Sequence, residues 1–128
     1  MYEAQAEGVV APEPEIVMIE VEIEWTRERI IKEIVETFPE SHDTAIAIAL
    51  CESGLRADVQ SGHTWQGERE RSFGIFQIHS DSWHATAMRL GYEDYRTDPG
   101  DNIKMARYIY DNAGKRWSDW SCYTKKMI

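Results

Sequence analysis

Glu52 is the residue whose place in the sequence says most about chemistry. It follows seven apolar residues, 45–51, and lies two residues before Gly54, which could end a helix. Burial among apolar groups and the negative end of a helix dipole both favour the protonated form of a carboxyl group. Such a group can deliver its proton to a leaving oxygen near neutral pH, which predicts a general acid. The alternative is that Glu52 reaches solvent or pairs with an arginine.

Cysteines, histidines and aspartates are the other residues that could bind or react. Cys51 and Cys122 by themselves leave two interpretations open, buried free thiols or a disulfide. The four histidines are too scattered for a metal site, and Asp98 with Asp101 indicates helix capping rather than calcium binding. The sequence therefore predicts neither a metal nor a cofactor.

Four helices and one β region are predicted to position these groups. Apolar periodicity and capping residues predict helices over about 26–38, 44–53, 82–90 and 98–113, the first, second and fourth capped by Thr26, Asp43 and Asp98. Glycines and short alternating stretches between residues 55 and 78 predict an irregular β-hairpin region. The predicted fold class is therefore α+β, mainly α.

The N-terminal part of the chain differs from the rest. Residues 1–25 are predicted to be an acidic tail with a possible strand, because apolar and acidic residues alternate from Val17 to Trp25. Residues 26–128 are predicted to be the single functional domain. Of the net charge of −9, residues 1–40 carry −8, since they hold eleven Glu against three basic residues. The nearly neutral remainder is not expected to attract nucleic acid.

The sequence also indicates whether the chain carries features that would direct it into or across a membrane. No run of about 18 apolar residues is present, so no membrane span is predicted. The first residues lack the basic and apolar regions of a signal peptide. We therefore expect that a leader has been removed or that export uses another route, such as cell lysis.

Three motifs occur in an order that resembles a known superfamily. They are AIALCESGLRADVQ, then SFGIFQIHSDSW, then NIKMARYIYDNAGKRWSDWSCY, and together they span roughly residues 27–123. The set is similar to the lysozyme-like superfamily, especially its soluble lytic transglycosylase (SLT) domains. The Cys-Glu-Ser-Gly start and the Trp-x-x-Trp-x-Cys end resemble the resuscitation-promoting factors. The resemblance implies a lysozyme-like fold that acts on peptidoglycan.

The resemblance also implies roles for individual residues. Glu52 would be the general acid, and Cys51 and Cys122 would form a disulfide. Such a bridge favours an oxidising compartment. Further residues are expected to line the sugar cleft or to bind substrate: Ser53, Trp65, Ser72, Gly74, Gln77, His79, Trp83 and Tyr110. Trp65 and Trp83 would offer stacking faces, although an aromatic residue is more often part of the core. Trp117 and Trp120 are expected to pack onto the core.

Two departures from the family pattern bear on mechanism. Ser72 stands where animal-type lysozymes carry an Asp, so a second carboxylate is missing there. Glu70 lies two positions earlier, hence on the same face of a strand, and is a possible replacement, although a solvated Glu-Arg alternation also explains it. The Tyr that many SLT domains carry seven residues after the Asn of their Asn-Ile helix is replaced by Ile109, between Tyr108 and Tyr110.

Three functions remain open at this stage. A lytic transglycosylase that uses one Glu is favoured, a hydrolytic muramidase that also uses Glu70 comes second, and a non-catalytic glycan-binding module comes third. The expected partner is the peptidoglycan glycan strand, and the chain is expected to be a monomer. The expected location is secreted or in the cell envelope, with a phage-borne enzyme as a further option.

Overall fold

A computed structural model describes residues 23–128. Five helices occur in this part of the chain: α1 (Arg27–Thr37), α2 (His42–Ser53), α3 (Ser80–Leu90), α4 (Pro99–Asn112) and α5 (Ser121–Thr124). Between α2 and α3 lie four two-residue strands: β1 (Thr64–Trp65), β2 (Glu68–Arg69), β3 (Ser72–Phe73) and β4 (Ile78–His79). The mainly α architecture with a small β region confirms the predicted fold class.

The strands form two antiparallel pairs, β1 with β2 and β3 with β4. In the second pair Ser72 faces His79 and Phe73 faces Ile78. Residues 74–77 connect β3 to β4, and this turn requires positive φ at both ends, +80° at Gly74 and +49° at Gln77. Glycine adopts such a conformation without penalty, whereas glutamine does so at a cost. We call residues 74–77 the β3–β4 turn.

The helix ends follow the capping chemistry of the sequence with local differences. The side chain of Thr26 accepts a hydrogen bond from the Arg29 N–H, and that of Asp98 accepts one from Asp101, as predicted. The second helix begins at His42 with Ser41 as its N-cap, so the prediction of Asp43 as cap is wrong, and Asp43 lies in the first turn. The third helix begins two residues earlier than predicted because β4 runs directly into it.

The core is built around a cluster of aromatic rings. Phe38, at the end of α1, has its ring centroid 5.8 Å from that of Phe76, 5.5 Å from Tyr110 and 5.0 Å from Trp117. Trp120 adds an edge contact to Phe76 at 6.0 Å. Burial of such large rings contributes much of the stability of a small domain. The β3–β4 turn and the C-terminal tryptophans are thus anchored on one core, as expected for Trp117 and Trp120.

The structure limits the burial of the apolar helix α2 and describes only the last residues of the predicted N-terminal strand. The apolar helix α2 buries Ala45, Ile48 and Ala49, but Leu50 is 42% exposed, so this helix is not covered on every side. Residues 23–25 have no regular secondary structure, and the remainder of the predicted strand lies outside the described residues. Among the helices of residues 23–128, none combines the length and apolar character that a membrane crossing needs.

Candidate active site

A groove of about 830 Å³ crosses the molecule at the C-terminal end of α2. One wall comes from the stretch after α2, residues 59–63, and another from the strands β3 and β4 with the start of α3. The third wall comes from the C-terminal part of the chain, where Trp120, Ser121, Cys122, Lys125 and Met127 face the groove. Glu52 lies among these walls, so the groove brings together chain segments that are up to 76 residues apart, from Cys51 to Met127.

Glu52 is half-buried at this position. Its Oε2 accepts a hydrogen bond of 3.3 Å from the backbone N–H of Cys122. Burial raises the pKa of the Glu52 carboxyl above its ordinary value, and the negative charge of Glu70 adds to the rise. The N–H of Cys122 and the nearby His63 act in the opposite direction, but burial is the largest cause. The group is therefore biased toward holding a proton inside a groove that is open to a ligand.

A disulfide joins Cys51 to Cys122, with a Cα–Cα distance of 6.2 Å. This bridge links the residue directly before Glu52 to the residue whose N–H binds the Glu52 carboxylate. The two cysteines alone left free thiols and a disulfide as open interpretations, and the structure has the disulfide. The bridge closes a loop of 71 residues, for which the chain-entropy account gives a stabilisation of roughly 4 kcal/mol.

Glu70 and Ser72 both line the groove with Glu52. Glu70 follows β2, and the backbone around it is fixed because its N–H donates to the His63 carbonyl and its own carbonyl accepts from the Gln60 side chain. Its charge is near enough to raise the pKa of Glu52. Ser72 is 5% exposed and carries no charge. The position at which animal-type lysozymes carry an Asp therefore lines the groove here but supplies no second carboxylate.

Gln77 lines the groove from the β3–β4 turn. Its side-chain Nε2 donates to the carbonyls of Val59 and Gly74, at 2.9 Å each. Because both amide hydrogens are used in this way, the oxygen Oε1 is the part of the amide left to accept a hydrogen bond from a ligand. Gly74 itself is buried and does not line the groove, and its contribution is the shape of the turn.

Asn102, a residue to which the sequence analysis gave no role, holds the β3–β4 turn from α4. Its Oδ1 accepts from the Phe76 N–H at 2.8 Å, while its Nδ2 donates to the carbonyls of Phe73 at 3.0 Å and Tyr95 at 2.7 Å. The side chain is 1% exposed, and a Cβ at Gly74 would collide with it. An asparagine on the apolar face of a predicted helix is the signal that could have found it.

The aromatic and histidine candidates divide into groove residues and core residues. His79 and Trp83 line the groove; His79 lies 3.2 Å from the Ser82 hydroxyl, and the Trp83 ring packs edge-on against Tyr108. Tyr110 is 4% exposed and its ring centroid lies 4.4 Å from that of Trp117, so packing replaces the expected sugar contact. The Trp65 side chain lies outside what the structure describes.

Ser53, which was expected to bind substrate, also points away from the groove. The residue is 3% exposed, and its hydroxyl donates to the Ile75 carbonyl at 2.7 Å and lies 3.1 Å from the Ala49 carbonyl. The residue therefore ties the end of α2, next to Glu52, to the β3–β4 turn. It does not line the groove.

Replacing Ser53 with Ala should lower stability and leave substrate binding intact. The buried Ile75 carbonyl would lose its donor, which costs about 1–3 kcal/mol, measured as a lower midpoint of thermal or urea unfolding. KM should stay unchanged because the hydroxyl does not reach the groove. Ser118→Ala, at an exposed position, is the matched control and should change neither quantity. A raised KM with unchanged stability would instead assign Ser53 to sugar binding.

A second, smaller basin of about 450 Å³ continues the groove past Glu70. It shares five residues with the main groove and is lined by both acids and bases, among them Glu68, Arg69, Arg71, Asp81 and Lys125. An ion pair of 3.1 Å joins Arg71 to Asp81. Within residues 23–128, no group of three or more His, Cys, Asp or Glu side chains could hold a metal ion.

Comparison with known proteins gives one finding. A family model described as "Lysozyme like domain" matches residues 35–122. The match covers more than half of the chain, and it includes Glu52, the β3–β4 turn and both cysteines. Neither the curated proteins nor the solved structures gave a match.

Proposed function

The chain belongs to the lysozyme like domain family, and from that premise we propose that it cleaves the glycan strands of peptidoglycan with Glu52 as its general acid. One observation carries the proposal: a half-buried carboxyl with a raised pKa lines an open groove of about 830 Å³. A general acid must hold its proton near the working pH, and burial shifts the pKa of Glu52 in that direction. A module that only binds glycan would not need a desolvated carboxyl, which argues against the binding-module hypothesis.

We further propose that the reaction is lytic transglycosylation between MurNAc and GlcNAc. Glu52 donates its proton to the glycosidic oxygen as the C1–O bond breaks. The resulting carboxylate then takes the proton of the muramic acid C6 hydroxyl, whose oxygen bonds to C1 and closes a 1,6-anhydro ring. No water is consumed, so one carboxyl that is restored at the end suffices. The uncharged Ser72, in the place where animal-type lysozymes carry an acid, supports this choice.

Hydrolysis with Glu70 as the second carboxylate is the alternative. The observation that favours it is that Glu70 lines the same groove and its charge acts on the Glu52 carboxyl. In a hydrolase the second carboxylate is the nucleophile when the two groups are about 5 Å apart, or activates water when they are about 6.5–9.5 Å apart. Both reactions need Glu52, but they give different products.

The test is product analysis with the oxidised chain on purified sacculi. Mass spectrometry of the released fragments separates 1,6-anhydro ends from reducing ends by the mass of one water. Anhydro ends support transglycosylation, and reducing ends support hydrolysis. Intact sacculi after incubation would remove the enzymatic proposal.

Replacing Glu70 with Gln separates the two reactions within one protein. We expect turnover to fall by less than about tenfold and the products to remain anhydro, since assistance by a catalytic acid or base is worth about 10²–10⁴-fold. The alkaline limb of the pH profile, where Glu52 loses the proton it must donate, should move to lower pH, because the charge that helps to raise the pKa of Glu52 is removed. Glu68→Gln, on β2 and exposed, is the matched control. A loss of more than 100-fold in the Glu70 variant alone would favour hydrolysis.

The place of action follows from the substrate and the disulfide. Peptidoglycan lies outside the cytoplasm, and disulfides persist in oxidising compartments. We therefore propose that the chain acts in the cell envelope or after secretion, with the Cys51–Cys122 bridge formed.

A further inference from the structure

The last residues of the domain form a wall of the groove. We call residues 119–127 the C-terminal turn; it contains the short helix α5. Asp119, Trp120, Ser121, Cys122, Lys125 and Met127 of this segment line the groove together with the stretch 59–63. The wall and Glu52 are in direct contact within the same groove, through the Cys122 N–H.

The attachment of this wall is uneven along its length. Trp120 is 4% exposed and its indole N–H donates to the Phe76 carbonyl at 2.8 Å, so the turn is firmly anchored at its start. After Trp120, every residue except Cys122 is exposed. Within residues 23–128, one hydrogen bond joins residues 121–128 to a part of the chain before Trp117, and it is the bond from the Cys122 N–H to Glu52.

We propose that Cys122 is a positioning residue for Glu52: its N–H orients the carboxylate, and the disulfide to Cys51 holds that N–H in place. The groove is then complete only while the bridge is formed, and turnover falls while the cysteines are reduced. The inference rests on the proposed function, since it concerns the same carboxyl. It goes further because it makes the disulfide part of the catalytic arrangement.

Reduction would dismantle the arrangement in a defined way. Two equivalents of a thiol reagent break the Sγ–Sγ bond, the two cysteines become thiols, and the reagent leaves as its own disulfide. Residues 121–128, of which only Cys122 is buried, then keep a single long-range hydrogen bond, too little to order eight residues. Glu52 would lose its backbone donor and gain water.

The charged groups around Glu52 fix the expected direction of its titration. The charged and titratable groups on the other walls of the groove stay in place when the C-terminal turn opens; they are Arg56, His63, Glu70 and His79. Asp119 and Lys125 belong to the C-terminal turn and move with it. Burial is the main cause of the raised pKa of Glu52, so opening the wall should lower that pKa toward its ordinary value. The loss of the Cys122 N–H acts in the opposite direction and is the smaller effect.

The experiment compares the oxidised protein with the double variant Cys51→Ser/Cys122→Ser, at a temperature at which both are folded. We expect kcat on sacculi to fall about 10- to 100-fold, as misplacement of a catalytic group by about 1 Å produces, while KM changes little. Carbon-13 NMR of the Glu52 carboxyl should show its titration moved to lower pH. Full kcat and an unchanged titration without the bridge would overturn the proposal.

Loss of stability alone must be separated from loss of positioning. Ile34→Ala is the matched control, because it truncates a fully buried core residue on α1, at a cost comparable to that of losing the bridge, and leaves the groove walls intact. It should keep kcat and the Glu52 titration. If the double variant does not fold, wild type reduced with a thiol reagent at low temperature, with tryptophan fluorescence monitoring the fold, gives the same comparison.

Failure of the two proposals can be told apart. Oxidised wild type that leaves sacculi intact contradicts the proposed function. The carboxyl titration does not depend on turnover, so a shift between oxidised and bridge-free protein still supports the positioning role, and its absence contradicts it.

Discussion

Glu52→Gln is expected to lower the rate of wall-glycan cleavage by at least about 1,000-fold without unfolding the protein. The amide has the shape of the acid but has no proton to donate to the glycosidic oxygen, and general acid–base catalysis is typically worth about 10²–10⁴-fold. In the proposed reaction Glu52 acts twice, first as acid and then as base, so we expect the loss of rate to lie in the upper part of this range. The measurement is the release of soluble fragments from sacculi, with product masses recorded.

Stability provides the control for this variant. The pKa of Glu52 is raised in the folded state, so folding favours the protonated carboxyl, and the ionised group opposes folding increasingly as pH rises from the unfolded-state pKa through the folded-state pKa. Gln does not ionise and can still accept the Cys122 N–H. The variant should therefore be at least as stable as wild type at neutral pH, with an advantage that disappears below about pH 4.

An outcome with retained cleavage would contradict the proposal directly. If Glu52→Gln keeps wild-type turnover, another carboxyl of the groove must be the proton donor. Glu70→Gln and the double variant Glu52→Gln/Glu70→Gln would then show whether Glu70 is that donor. If the variant is inactive but also unfolded at neutral pH, the loss would report stability, and Gln77→Ala, which perturbs the same groove without removing the acid, provides the comparison.

The half-buried carboxyl of Glu52 could be predicted from the sequence because its signal is local. Seven apolar residues before an acid, with a glycine two residues later, specify both the helix end and the unusual environment of Glu52. The same holds for the ends of α1 and α4, where Thr26 and Asp98 bind backbone N–H groups three residues further on. In each case the interacting atoms lie within one helical turn of each other.

Contacts between distant segments could not be predicted in this way. The donor to Glu52 is a backbone N–H 70 residues later, and a backbone group has no signature in the sequence. Ser53 and Tyr110 show the reverse problem, since their residue types fit sugar binding but both side chains turn inward. Whether a polar side chain faces a groove or a buried carbonyl is decided by packing between α2, α4 and the β3–β4 turn, which no local pattern contains.

Asn102 provides the second large expected effect, this time on stability. Asn102→Asp keeps an acceptor for the Phe76 N–H but turns the donor that serves the Phe73 and Tyr95 carbonyls into an acceptor. A buried carbonyl and a partly buried one lose their donor and a charge is placed beside them, so we expect a loss of about 3–5 kcal/mol in the free energy of unfolding at neutral pH. A small domain has about 5–15 kcal/mol in total, so urea unfolding should show a marked drop in midpoint.

The pH dependence of this loss distinguishes the mechanism from a general packing defect. A buried Asp is favoured in its protonated form, which can donate to one of the two carbonyls, so the deficit should shrink as pH falls and grow as pH rises. Asn112→Asp makes the same substitution at an exposed position on the same helix and should cost less than about 1 kcal/mol. A deficit in Asn102→Asp as small as in this control would mean that the β3–β4 turn, and with it one wall of the groove, is held by something other than the Asn102 amide.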